Sequence, residues 1–383
     1  MIEAVIVIAK RTPIGRMGGQ LSRLEPEALL APLIQHIVSE TNLPKTCIDD
    51  VIIGNVVGPG GNIARVAALE AGLPVTVPGV TIDRQCGSGL EAINIAARLI
   101  QSGAGEVYLA GGVESTSRAP WKMAKPQTLM GVPQLYTRAH FTPSSYGDPD
   151  MGIAAENVAR KFAITRDEQD RYALKSHQKA IHSQETGRFT QEIVPLQTDG
   201  KWVTADECPR SDTSLEKLQK LPPVFLDQGT VAAGNACPLN DGAALVLIMS
   251  RKKCEELKLK PILRVVDAQA AGVDPHYLGI GPVPAVQKLL RRQQLTVNDL
   301  DIVEFNEAFA SQVLASLKEL QIPQDKVNLG GGALAIGHPY GASGAILMTR
   351  LCAEMMQQPY KRGLATLGIG GGIGLATLVE AVE

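Results

Sequence analysis

Two stretches of this chain pass through the same order of elements, and that internal likeness limits the folds open to it more than any other feature. In the first, an apolar run, Val51-Ile52-Ile53-Gly54-Asn55, precedes Cys86-Gly87-Ser88-Gly89, an alanine-rich helical pattern from Leu90 to Ile100, and a second apolar run, Val107-Tyr108-Leu109-Ala110-Gly111-Gly112. In the second, Ile302-Val303-Glu304-Phe305-Asn306 precedes Gly341-Ala342-Ser343-Gly344, a helical pattern, and then Leu364-Ala365-Thr366-Leu367 running into Gly370-Gly371-Gly372. This order reads as a duplicated βα unit. Near-continuous apolar strands alternating with helices predict mainly parallel sheets covered on both faces, two of them, in a layered α/β body. The run from Met1 to Ala9, closed by Lys10-Arg11, reads as a first strand.

Between the halves, from about Pro120 to Asn235, Pro, Tyr, His and charged residues dominate. The stretch reads as an inserted loop domain with one clear helix, begun by the capping box Thr165-Arg166-Asp167-Glu168 and ended by Gly187. Residues 1–119 with 236–262 then form the first half, 120–235 the loop domain and 263–383 the second half. A chain of 383 residues fits such a division, at roughly 150 residues per domain. The net charge of −2 gives no field toward nucleic acid or a membrane surface, and no run of 18 or more apolar residues spans a bilayer. Six scattered cysteines without a CxxC pair argue against a zinc site or a disulfide framework and point to reduced thiols in a cytoplasm.

Cys86 stands where Val80-Thr81-Ile82 breaks through a glycine turn into a helix. Free N–H groups and the helix dipole favour thiolate there and should pull its pKa below the free value of about 8.5. Gly87 and Gly89 clear side chains from the sulfur, so a carbonyl can approach and the N–H of Cys86 can face a developing oxyanion. The other reading of such a cysteine is a small buried hydrophobe. Asn306 ends an apolar strand, where its amide either holds a water or an oxyanion or caps the following helix. His338, fixed between Gly337 and Pro339 in a glycine-rich turn, can donate to a thioester oxygen or take a thiol proton near neutral pH. The cluster Gly368-Ile369-Gly370-Gly371-Gly372-Ile373-Gly374 can cradle a phosphate or place backbone donors at a reacting carbonyl. It lacks the acidic context of a dinucleotide fold and the lysine of a P-loop.

Cys-Gly-Ser-Gly-Leu, Asn-Glu-Ala-Phe, Gly-His-Pro-Tyr-Gly-Ala-Ser-Gly and the terminal glycine cluster together resemble the four catalytic loops of the thiolase family, in the family's order. The likeness extends over the whole chain, through Gly229 to Asn235, Asn240 to Ala243, and Met151-Gly152 with Glu156-Asn157. It implies a duplicated α-β-α-β-α layered fold whose loop domain holds coenzyme A. It also implies coenzyme A thioesters as substrates, no permanently bound cofactor or metal, and a homodimer or homotetramer. By the same resemblance Cys86 takes the acyl group and His338 activates the thiol. A water on Asn306 and His338 forms one oxyanion hole, and the N–H groups of Cys86 and Gly370 form another. Met151, Cys237 and Phe309 touch the substrate.

The chain departs from the family where it has Gly368, the position of a second cysteine that moves the α-proton in carbon–carbon chemistry. Cys237 replaces a frequent serine, Asp150 a histidine that borders the substrate, and Asp83 a frequent asparagine. The resemblance therefore implies acyl-CoA plus acetyl-CoA giving 3-ketoacyl-CoA plus CoA, or the reverse, with condensation weakened by Gly368. The alternatives are thioester hydrolysis or acyl transfer without carbon–carbon chemistry, and a silent CoA-binding subunit. A glycine-rich turn could also hold positive φ at Gly368 and resist a side chain there.

Overall fold

The computed structural model describes residues 2–382, and the duplicated stretches meet in one continuous mixed sheet of ten strands. Positions 1 and 383, the outer limits of the expected first strand and second half, lie outside the described residues. The main strands are β1 (Ala4–Arg11), β2 (Asp50–Gly54), β3 (Val80–Ile82), β4 (Val107–Ser115), β5 (Asn240–Ser250), β6 (Leu263–Gly272), β7 (Ile302–Phe305), β8 (Arg362–Ile369) and β9 (Ile373–Ala381). Their order is β7-β8-β9-β6-β1-β5-β4-β2-β3, with Gly15–Arg16 paired to β5.

The expectation of two mainly parallel sheets is therefore corrected. β1, β5 and β4 are successive antiparallel neighbours, as are β6, β9 and β8. Only β2 with β3 and β4, and β7 with β8, are parallel. Apolar runs report that both faces of a strand are covered, which holds equally for antiparallel strands between helix layers; direction is set by the connections. Gly371 and Gly372, at φ +84° and +81°, fold β8 straight back as β9, so that pair must be antiparallel. The duplication shows in the pairing, since β1-β5-β4-β2 and β6-β9-β8-β7 repeat the sequence antiparallel, antiparallel, parallel. A short contact, Val5 opposite Arg264 and Ile6 opposite Leu263, joins the halves.

The helices are α1 (Pro26–Glu40), α2 (Ile63–Glu70), α3 (Ser88–Ser102), α4 (Met151–Lys161), α5 (Arg166–Glu185), α6 (Pro282–Gln293), α7 (Ala310–Leu320) and α8 (Tyr340–Gln357). Burial sorts them into layers. Leu29 and Leu33 of α1 and Ala67 of α2 pack on Val51, Leu109 and Leu245, one face of the first half. Val286 of α6 and Val313 of α7 pack on Phe305, Leu364 and Ala376, the outer face of the second half. α3 and α8 share the core between, where Ile93 and Met348 meet Ile6, Val246, Leu367 and Leu375. Each fully buried Leu or Ile contributes about 1.5–3 kcal/mol. The result is helix, sheet, helix, sheet, helix, the layered fold implied by the family resemblance.

The centre depends on two glycines. A Cβ at Gly89 would lie 2.7 Å from the Gly341 carbonyl oxygen, and one at Gly344 would lie 2.5 Å from the Leu90 nitrogen. α3 and α8 thus cross backbone to backbone.

Residues 120–235 contain α4 and the short helix Leu215–Gln219 as well as α5, so the single clear helix of the sequence pattern undercounts them. α4 starts after Asp150 without a side-chain cap, leaving its N-terminus unsignalled. α5 starts on the reciprocal Thr165–Glu168 box, and Gly187, at φ +71°, follows its end. Buried charges tie this region to the body. Arg11 of β1 bonds Glu192 and Asp206, Arg350 of α8 bonds Glu192 and Glu354, and both guanidinium groups lie over the Phe189 ring. Among the described residues no helix is long and apolar enough to cross a membrane.

Candidate active site

The two duplicated turns each bring one reactive group to the crossing of α3 and α8. Cys86 precedes α3 in a turn pinned by Ser88, whose Oγ accepts from the Arg84 N–H at 2.8 Å and donates to the Gln85 carbonyl at 2.6 Å. The N–H groups of Gly370, just past β8, and of Cys86 itself lie near enough to the Cys86 sulfur to favour its thiolate. Burial nevertheless pushes the thiol up to about 12, against the lowering expected at a helix N-terminus. Cys86 lies before the N-cap, Gly87, and the two N–H groups recover only part of the lost hydration, while Glu114 and Asp83 add negative charge nearby. The thiol rests protonated and needs a base.

His338 follows the short helix Ala333–Ile336 and is 2% exposed. Its N–H donates to Asn240 Oδ1 at 2.8 Å. Its Nδ1 lies 2.6 Å from Ser343 Oγ, and that hydroxyl donates to the Pro339 carbonyl at 3.0 Å. With its proton so committed, the serine oxygen accepts from Nδ1–H, and the network leaves Nε2 with a lone pair. Asn306 Nδ2 stands 3.5 Å from that Nε2, at the long limit of a direct hydrogen bond, so both atoms stay open to a shared oxygen. Burial lowers His338 to about 4, so the ring is neutral at pH 7 and able to take a proton. Asn306 caps no helix, because α7 begins at Ala310 with Phe309 in the cap position. Its neighbour Glu307 fixes the strand end by accepting from Tyr172, Ser176, Asn328 and the Leu334 N–H.

Met151, Cys237 and Phe309 are linked by contacts. The Cys237 N–H donates to the Ala308 carbonyl, Ala236 bridges to Phe309, and the Phe309 ring meets Phe225 edge-on at 6.3 Å. Phe225 covers Gly152, the neighbour of Met151. Burial raises the Cys237 thiol, and the Tyr340 ring lies edge-on to His338 at 5.2 Å. Cys86, Cys237 and Tyr340 are near enough for each thiolate to oppose ionisation of the phenol. Asp150 has an exposed side chain 3.9 Å from Arg138, and Asp83 accepts from the Gln85 N–H.

Gly368 lies within β8 opposite Gly374, and it is not among the positive-φ glycines, so the strained turn weighed from the sequence is absent at this position. Its missing side chain leaves no gap. A Cβ there would lie 2.5 Å from Gln312 Nε2 and 3.3 Å from the Gly279 carbonyl oxygen. Gln312, on α7, is 2% exposed, and its Nε2 has no hydrogen-bond partner.

The sequence reading did not find Gln312, Ser343 as the partner of His338, or Glu114. Glu114 is buried at the end of β4, accepts from Asn55 Nδ2 and the N–H groups of Val56, Val57 and Gly341, and is raised by burial to about 7. A charge in an otherwise apolar strand was the available signal for Glu114. For Ser343 it was a hydroxyl one turn beyond the histidine. Among the described residues no group of three or more His, Cys, Asp or Glu side chains could hold a metal ion.

The thiolase N-terminal domain family matches residues 4–252 and the thiolase C-terminal domain family residues 259–381. A Staphylococcus epidermidis protein provisionally named acetyl-CoA C-acetyltransferase VraB is 50% identical over 382 residues, 99% of each chain. The crystal structure of the Bacillus anthracis acetyl-CoA acetyltransferase is 40% identical, with a TM-score of 0.93 over 100% of this chain and 99% of that one. Human mitochondrial 3-ketoacyl-CoA thiolase is 36% identical, with a TM-score of 0.94 and the same coverage.

Proposed function

The chain belongs to the thiolase family, and from that premise we propose that it is an acyltransferase that takes acyl groups from coenzyme A thioesters onto Cys86. One arrangement carries the reading. The N–H groups of Cys86 and Gly370 favour negative charge at the sulfur, while neutral His338 keeps Nε2 open. As the sulfur attacks the thioester carbonyl, its proton passes to His338 Nε2, and the two N–H groups receive the negative oxygen. Collapse breaks the bond to the coenzyme A sulfur, which leaves with the proton from His338. A water on Asn306 and His338 would hold the carbonyl of the second substrate.

Coenzyme A thioesters act as substrates, with no resident cofactor. Residues 120–235 serve as the domain that holds them, with Met151, Cys237 and Phe309 along the acyl-carrying arm. Exposed Trp121, Met123, Leu129, Met130, Val132 and Leu135 around the hairpin of Lys122–Ala124 and Gln134–Tyr136 support a homodimer or homotetramer, and the scattered thiols without a CxxC pair favour the cytoplasm. Condensing two acetyl groups to a 3-ketoacyl thioester requires removal of an α-proton. Gly368 supplies no acceptor, and loss of a general base typically costs ~10²–10⁴-fold. The carboxamide of Gln312 in that space favours a second reading, acyl transfer without α-proton removal.

Mass spectrometry after incubation with acetyl-CoA tests the proposal. The acyl adduct is expected on the peptide holding Cys86, and His338→Ala should slow its formation strongly. An adduct confined to Cys237 or Cys352 would overturn the assignment.

A further inference from the structure

The side chain of Gln312 crosses Gly279, where a Cβ would lie 2.8 Å from its Cγ, and ends beside Gly368 with a buried N–H group that nothing accepts. A buried donor without a partner is costly to keep. It sits where the acyltransferase reading leaves a base missing. A carboxamide cannot take a proton from carbon, but it can donate to an oxygen.

The chemistry that fits a donor and no base is one in which the carbon nucleophile arises by loss of something other than a proton. We propose that the second substrate is a 2-carboxyacyl thioester of the malonyl type, and that Gln312 Nε2 donates to its carboxylate. The carboxamide is the free end of a flexible side chain and swings to meet the ligand. The bond from Cα to the carboxylate breaks, carbon dioxide leaves, and the electron pair stays on the substrate as an enolate. The enolate carbon attacks the carbonyl of acyl-Cys86, the carbon–carbon bond forms, and the Cys86 sulfur departs and regains a proton through His338. One acyl-Cys86, one 2-carboxyacyl-CoA and one proton give one 3-oxoacyl-CoA, one carbon dioxide and free Cys86. No step asks for a side chain at Gly368. Burial of the Gln312 carboxamide also favours the change, because a buried setting solvates a carboxylate poorly and neutral carbon dioxide well.

The inference rests on acylation of Cys86, so acylation is followed separately by mass spectrometry. The full-length protein is given acetyl-CoA with malonyl-CoA, or acetyl-CoA alone, and acetoacetyl-CoA and carbon dioxide are measured. The expected result is acetoacetyl-CoA at least a hundredfold faster with malonyl-CoA, with one carbon dioxide per product. Gln312→Met removes the donor and keeps the bulk. It should lower kcat/KM for malonyl-CoA at least tenfold more than it lowers the rate of Cys86 acylation. Gln312→Leu, smaller and without a donor, should do the same, and it decides the matter if the methionine variant does not fold. Equal rates with the two carbon donors, or losses that merely track acylation, would overturn the proposal while leaving the acyl-enzyme intact. Absence of any Cys86 adduct would overturn the acyltransferase reading itself, and this inference with it.

Discussion

A cysteine placed at position 368 would put a thiol on β8 beside the acyl group of Cys86, and the backbone offers no objection because φ there is not in the left-handed range. Crowding is the obstacle. The new Cβ would start 2.5 Å from Gln312 Nε2, so the carboxamide must withdraw. Overpacking a core costs ~1–3 kcal/mol. The low end applies, because Nε2 gives up no hydrogen bond when it moves. Against about 1 kcal/mol stands a proton acceptor worth ~10²–10⁴-fold, or roughly 3–5 kcal/mol of barrier. Even if the whole crowding cost fell on the transition state, Gly368→Cys should raise acetyl-CoA condensation and acetoacetyl-CoA thiolysis by at least about tenfold, equal to about 1.4 kcal/mol. Following thiolysis by loss of the acetoacetyl-CoA enolate absorbance, with folding checked by circular dichroism and Cys86 acylation by mass spectrometry, gives each quantity separately. If the parent already condenses acetyl-CoA as fast as the variant, another group does the work of the absent thiol and the argument about Gly368 is wrong.

Ser343→Ala should leave His338 Nδ1–H without its acceptor and free the ring to turn, costing about 1–2 kcal/mol and slowing Cys86 acylation roughly tenfold; an unchanged rate would remove Ser343 from the mechanism. The stability that His338 contributes should fall as pH drops from about 6.5 to about 4. The unfolded chain protonates His338 across that window and the folded chain does not, a difference on the order of 3 kcal/mol, fully lost below pH 4. His177, lowered to about 4 chiefly by burial, acts in the same direction, whereas Glu114 and Glu304, raised by burial to about 7 and about 8, act in the opposite one. Urea unfolding of the parent and of His338→Gln at several pH values isolates the histidine: the stability difference between the two should change across pH 6.5 to 4, and a constant difference would refute the assignment. Glu114→Gln should hold the Gly341 N–H less strongly and slow acylation several-fold, read by the same adduct assay.

The strand, glycine turn and helix around Cys86 and His338 were legible because glycine, proline and apolar periodicity act locally. The Thr165–Glu168 box was legible for the same reason. Strand direction was not, since Val51 or Leu364 reports that it is buried and not which neighbour it pairs with. The rise of the Cys86 thiol was hidden too. Its helix position can be read from neighbours in the chain, whereas the burial that outweighs it needs distant residues such as Ile369, which packs against Gly87. Gln312 escaped because a glutamine in a helix is ordinary, and only β8 folding alongside α7 makes its nitrogen a group without a partner.

The contact of α3 with α8 at Gly89 and Gly344 has a consequence for motion. Main chain against main chain leaves no side-chain layer to slide or repack, so the halves cannot rock apart and Cys86 and His338 keep a fixed separation. Opening must then come from the lighter wall, residues 120–235, whose Phe141 rests against Gly370 and whose Phe225 rests against Phe309. Neither ring touches the glycine contact between the crossed helices. Trimming Phe141 or Phe225 to leucine should therefore speed substrate exchange while leaving the rate of Cys86 acylation at saturating acetyl-CoA unchanged.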